Sequence, residues 1–140
     1  MITRSGSAKW DGGLKEGKGQ VSTKSGALDA QPYGFQTRFE DKPGTNPEEL
    51  VGAAHASCFS MALAMMLEQE GISGVSIQTT SEISMDKDGE GFAVKKAHLI
   101  TKITADADEA KVKELAEKAK AGCPISKLLN AEITMDAQVG

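Results

Sequence analysis

The spacing of hydrophobic and polar positions changes along the chain, and each change predicts an element. Residues 2–10 (ITRSGSAKW) and 18–25 (KGQVSTKS) are short, polar, partly alternating runs separated by Gly12-Gly13 and Gly17, a pattern for a hairpin or meander. Residues 33–39 (YGFQTRF) also alternate, which predicts a strand with Tyr33, Phe35, Thr37 and Phe39 on one face and Arg38 on the other. Residues 46–67, NPEELVGAAHASCFSMALAMML, read as one long apolar helix rich in small residues. Asn46 suits its N-cap and Pro47 its first position; Glu48 and Glu49 fall in the first turn, with Glu49 at the capping-box place. The helix should run to about Glu70, where Gly71 closes it. Between Val75 and Ala105, two alternating stretches flank Asp88-Gly89, a hairpin signal. An amphipathic helix is predicted from near Asp108 through DEAKVKELAEKAKAG, then a short helix in GCPISKLL opened by Pro124, then a strand in AEITMDAQV. This order of elements predicts an α+β fold with largely antiparallel sheet. With no repeat and no low-complexity linker, residues 1–140 read as a single domain.

Composition narrows the picture. Apolar residues make up 39% and charged residues 26%, values of a globular chain. Aromatic residues are only 4%, so the core must be aliphatic and methionine-rich, and dimerisation would add buried area. A net charge of −4 without a basic tract argues against a nucleic-acid partner. The N-terminal stretch lacks the apolar centre of a signal peptide. The apolar run from Val51 to Leu67 is at the lower limit for a membrane span and contains His55, Ser57, Cys58 and Ser60, so a core helix is expected and no membrane partner. A cytoplasmic location follows, where two cysteines are more often redox-active or catalytic than a static staple.

The candidate chemistry lies in few residues. Cys58 is mid-helix, where the dipole of its own helix does not lower its pKa; it needs a nearby cation to react, and otherwise is a packed thiol. Cys123, in Gly-Cys-Pro, sits at the start of a short helix, so local electrostatics alone make it the better nucleophile. Arg38 is the only arginine beyond Arg4, and a guanidinium suits bidentate pairing with a carboxylate. Because Glu49 is at the capping position, Glu48 is freer for another task. His55, three residues before Cys58, raises two readings, a general base or a metal ligand. With His98 the only other histidine and no close-spaced ligand pair, no metal is expected. Residues 86–90 (DKDGE) lack the full calcium-loop pattern and read as a turn. No nucleotide-binding or serine-hydrolase motif is present, and no cofactor is expected.

Together, QPYGFQTRFE, GTNPEELVGAAHASCFSMAL, KAKAGCPISKLL and AEITMDAQ closely resemble the osmotically inducible protein C (OsmC) family, which is related to the organic hydroperoxide resistance proteins. The arginine just before the long helix, rather than near the N-terminus, points to the OsmC branch. The resemblance spans nearly the whole chain. It implies an intertwined homodimer with antiparallel sheets packed around a long central helix carrying Cys58, and active sites at the interface. It implies a thiol peroxidase acting on organic hydroperoxides in stress defence, with Cys58 peroxidatic, Cys123 resolving, Arg38 and Glu48 completing the site, and an external dithiol as reductant. This order of the cysteines reverses the one that local electrostatics favours.

Spacing adds a constraint. Ten residues of helix separate Glu48 from Cys58, about 15 Å of rise. If two antiparallel copies of the helix cross near Ala53, Glu48 of one lies level with Cys58 of the other, and Gly52, Ala53, Ala54 and Ala56 are small enough for close approach. The expected site therefore takes Cys58 and Cys123 from one subunit, and Glu48 with Arg38 from the other. Phe35 or Phe39, Met61, Met65, Ile125 and Leu128 are candidates for an apolar wall. The rival readings are a thiol redox sensor and a small-ligand-binding module, neither turning over peroxide.

Overall fold

The two polar runs that open the chain pair with each other. In the computed structural model, which describes residues 1–140, β1 (Gly6–Asp11) and β2 (Lys18–Thr23) form an antiparallel ladder with Trp10 opposite Gly19. β3 (Gln31–Tyr33) pairs with the other edge of β2, giving the order β1-β2-β3. The rings of Trp10 and Tyr33, 5.6 Å apart, come from the two strands that flank Gly19.

The strand expected over residues 33–39 stops at Tyr33, and Phe35–Phe39 is instead a helical turn, α1. The reason is local. Thr37 Oγ1 accepts the N–H of Gly34 at 2.9 Å and donates to the Gly34 carbonyl at 3.0 Å, which folds the backbone back on itself. Phe35 and Phe39 are spaced to share a strand face, but they are also four apart, and their rings meet across the helical turn at 5.1 Å. Arg38 consequently does not point away from the aromatic residues; its guanidinium lies 5.2 Å from the Phe39 ring centre. These elements belong to a compact unit of residues Met1–Leu50.

Helix α2 (Pro47–Gln69) starts and ends as expected. Asn46 Oδ1 accepts the Glu49 N–H at 2.8 Å, and the Asn46 amide donates to the Glu49 carboxylate. At the other end Gly71 (φ +71°) donates to the Glu68 carbonyl and Ile72 to that of Leu67, the paired bonds of a Schellman stop. By length and mean hydropathy, 1.7 over its most apolar window, α2 could cross a membrane. Here its Phe59, Leu63 and Leu67 are fully buried in a core with residues of the following strands and helix.

That core belongs to a second compact unit, Val51–Gly140. β4 (Ser76–Asp88) and β5 (Gly91–Thr104) form an antiparallel hairpin whose turn residues are Gly89, at φ +62°, and Glu90. Ala97, Leu99, Thr101 and Ile103 alternate along β5 and are buried. α3 (Glu109–Gly122) is capped by Asp108, which accepts the Lys111 N–H at 3.0 Å, and adds Val112, Leu115, Ala116 and Ala119 to the core. After the short helix α4 (Pro124–Leu128), β6 (Glu132–Val139) joins the far edge of β5. This pairing is parallel, because the helical crossover returns the chain to the end of the sheet from which β5 set out. The fold is α+β, with two three-stranded sheets and one long helix.

Candidate active site

The four candidate residues form two pairs. Arg38, in the last turn of α1, meets Glu48, in the first turn of α2. Nε donates to Oε1 and Nη2 to Oε2, both at 3.0 Å, a bidentate fork. The capping duty of Glu49 toward Asn46 leaves Glu48 for this contact.

The second pair is Cys58 and Cys123, both free thiols within hydrogen-bond contact of each other. Cys123 is completely buried, whereas Cys58 is partly exposed. Burial pushes the Cys58 thiol pKa up, and the neighbouring Cys123 pushes the same way. Against them acts the backbone N–H of Ile125, which donates to the Cys58 sulfur. A mid-helix cysteine gets no such donor from its own helix; this one comes from the first turn of α4. The next N–H, that of Ser126, donates to Cys123 Sγ at 3.3 Å, so Cys123 caps α4 through its sulfur.

His55 does not bond Cys58. It is fully buried, with Nδ1 at 2.7 Å from Ser81 Oγ and Nε2 at 2.9 Å from Ser126 Oγ, so both ring nitrogens are occupied. His98 is elsewhere, 2.6 Å from Thr134 Oγ1. Gly52 faces inward rather than toward an α2 crossing, because a Cβ there would lie 2.7 Å from the Ser81 carbonyl oxygen. Ala53, Ala54, Ser57, Met61 and Met65 form the exposed side of α2, and Leu128 is exposed as well.

A contacting pair of thiols can be oxidised and closed to a disulfide. The model of the OsmC-like protein family matches residues 39–138. The chain belongs to the OsmC-like protein family. It is 52% identical to Peroxiredoxin OsmC of Escherichia coli over 99% of this chain and 97% of that protein. To the organic hydroperoxide resistance protein OhrB of Bacillus subtilis it is 27% identical, over 86% of this chain and 88% of that one. Among solved structures, an organic hydroperoxide resistance protein OsmC from Legionella pneumophila superposes with a TM-score of 0.74 at 27% identity, covering 100% of this chain and 98% of that one.

Within this OsmC-like chain, sequence reasoning missed two groups at the thiols, the Ile125 N–H and Ser126, and a third, Ser81, at His55. Ser126 carried a legible signal. Cys123 and Ser126 stand at N-cap and N3, the spacing at which a capping side chain and the first turn answer each other. Ser81 carried none, because only the packing of β4 beside α2 brings it to His55.

Proposed function

We propose that the protein is a thiol-dependent peroxidase that reduces hydroperoxides, organic ones in preference, to alcohols. The observation that carries this reading is the thiol pair with unequal exposure. Cys58 is reachable from outside, and Cys123 is buried against it. A substrate can therefore meet Cys58 first, which makes Cys58 peroxidatic and Cys123 resolving. The Cys58 thiolate attacks the terminal peroxide oxygen, the O–O bond breaks, and the alkoxide leaves with a proton as alcohol. Cys58 becomes a sulfenic acid. Cys123 condenses with it, releasing water and forming a disulfide, which an external dithiol reduces by exchange.

Cys58 needs a cation, since burial raises its pKa. The Arg38–Glu48 fork supplies one in a homodimer of antiparallel α2 helices crossing near Ala53, which sets this pair of one copy level with Cys58 of the other. Two features support that arrangement: α2 is apolar on all sides, and Met61 and Met65 are 77% and 52% exposed in the single chain. In these roles Glu48 holds Arg38 in place, and Arg38 stabilises the thiolate and polarises the peroxide. Residues 1–140 act as one functional domain, in a reducing cytoplasm that keeps the dithiol supply.

Dithiothreitol-dependent consumption of cumene hydroperoxide tests the reading. Wild type should turn over, Cys58→Ser should not, and Cys123→Ser should accumulate a sulfenic acid at Cys58. Turnover by Cys58→Ser at the wild-type rate sinks the assignment.

A further inference from the structure

His55 is the one fully buried titratable side chain that the peroxidase scheme leaves without a task. Its surroundings are specific. Cys123 Sγ lies 3.1 Å from Ser126 Oγ, Ser126 Oγ lies 2.9 Å from His55 Nε2, and His55 Nδ1 lies 2.7 Å from Ser81 Oγ. Three elements, α2, β4 and α4, thus converge on one chain of hydrogen bonds that ends at the proposed resolving thiol.

We propose that Ser126 and His55 carry the proton away from Cys123 as that thiol closes onto oxidised Cys58, with Ser81 fixing the imidazole tautomer. The inference rests on the peroxidase reading and gives its second step a proton path. The relay uses one of the tautomers that the donor inventory allows, in which each hydroxyl donates its single hydrogen once. The Cys123 S–H donates to Ser126 Oγ, the Ser126 O–H donates to Nε2, and Nδ1–H donates to Ser81 Oγ. Nε2 is then an unprotonated acceptor.

The step balances without an added reagent. Cys123 sulfur attacks the sulfur of the Cys58 sulfenic acid, the S–S bond forms and the S–O bond breaks. The Cys123 proton passes to Ser126 Oγ as the Ser126 hydrogen moves to His55 Nε2. The hydroxide leaving Cys58 recovers that proton, so one water forms and His55 ends neutral. Cys123 is oxidised and the Cys58 sulfenic sulfur is reduced.

Burial lowers the pKa of His55, which keeps the acceptor form present through neutral pH. The groups facing the imidazole are the Ser81 hydroxyl from β4 and the Ser126 hydroxyl from α4; the titratable groups further along the chain are Cys123 and Cys58. Gly52 supports the arrangement, because its missing side chain lets the β4 backbone at Ser81 approach α2. His55 touches neither sulfur and acts on Cys123 only through Ser126, as the far acceptor of the relay.

Single-turnover kinetics separate the two steps: loss of cumene hydroperoxide reports oxidation of Cys58, and loss of dimedone-reactive sulfenic acid reports closure by Cys123. Ser126→Ala and His55→Gln should slow closure about a hundredfold more than oxidation, the lower end expected for losing a proton-transfer group. The closure rate of both variants should rise with hydroxide concentration, an external base then replacing the relay, where that of wild type is flat. Ser126→Thr, which keeps the hydroxyl, should restore closure. Equal slowing of both steps, or an unchanged pH profile of closure, overturns the relay. If wild type forms no sulfenic acid with the hydroperoxide, the peroxidase reading itself fails; if wild type closes and both variants close equally fast, only the relay does.

Discussion

The guanidinium of Arg38 holds the carboxylate of Glu48 through two parallel hydrogen bonds, each 3.0 Å long. The fork fixes the orientation of a planar cation, which a lysine ammonium cannot reproduce. Arg38→Lys should therefore keep the charge yet lower kcat/KM for cumene hydroperoxide by about tenfold or more, the scale of a lost charge-assisted contact. In the proposed dimer, where Arg38 of one copy serves Cys58 of the other, Arg38→Met should also move the alkylation profile of Cys58 to higher pH, because burial, which raises the thiol pKa, would then act unopposed by that cation. Full activity in Arg38→Lys argues that the fork is structural only.

His55 gives a pH dependence of stability with a defined sign. Burial holds its pKa below the ordinary 6.5, so in the window beneath that value the unfolded chain binds a proton that the folded chain does not. The contribution is present in full above about pH 6.5 and declines as pH falls toward the folded-state pKa. Urea midpoints should thus drop between about pH 6.5 and pH 5, ahead of carboxylate titration, and His55→Gln should flatten that segment. The same slope in His55→Gln assigns it to other groups.

Gly52→Ala tests the approach of α2 to β4. The added methyl would sit 2.7 Å from the Ser81 carbonyl oxygen, a backbone atom that cannot swing aside. A loss of about 1–3 kcal/mol is expected, the usual scale of overpacking, read from denaturant unfolding. A wild-type midpoint would mean that the strand shifts freely.

Met61→Lys with Met65→Lys tests the proposed α2 crossing. Each buried methionine contributes about 1.5–3 kcal/mol, so placing charges on that face should weaken dimerisation by well over tenfold. Sedimentation velocity should show a dimer for wild type and a monomer for the double variant. An unperturbed dimer puts the interface on another face.

Much of this molecule was legible from its sequence because local rules and tertiary packing agree. Asn46, Pro47 and Glu49 mark the start of α2, Gly71 marks its end, and the alternation along β4 and β5 survives as alternate burial. Residues 33–39 were misread because Phe35 and Phe39 satisfy a two-residue and a four-residue period at once, and Thr37 decides between them through its hydroxyl. The parallel seat of β6 depends on where the crossover places a strand, which its own residues do not encode. At the site, the spacing of Glu48 and Glu49 separated capping from pairing. The partners of His55 were hidden, since Ser81 and Ser126 come from distant segments that meet only in the folded chain.

Two consecutive amides at the start of α4 each face a different sulfur, Ile125 toward Cys58 and Ser126 toward Cys123. Thiol exchange expels one sulfur as an anion, and a sulfur that leaves more easily lets a disulfide open faster. In this protein either sulfur would depart toward an N–H already in place. In the proposed Cys58–Cys123 disulfide, a dithiol attacking the partly exposed Cys58 would expel the Cys123 sulfur toward the Ser126 N–H, so the start of α4 would ease the opening of the bond as well as its closure.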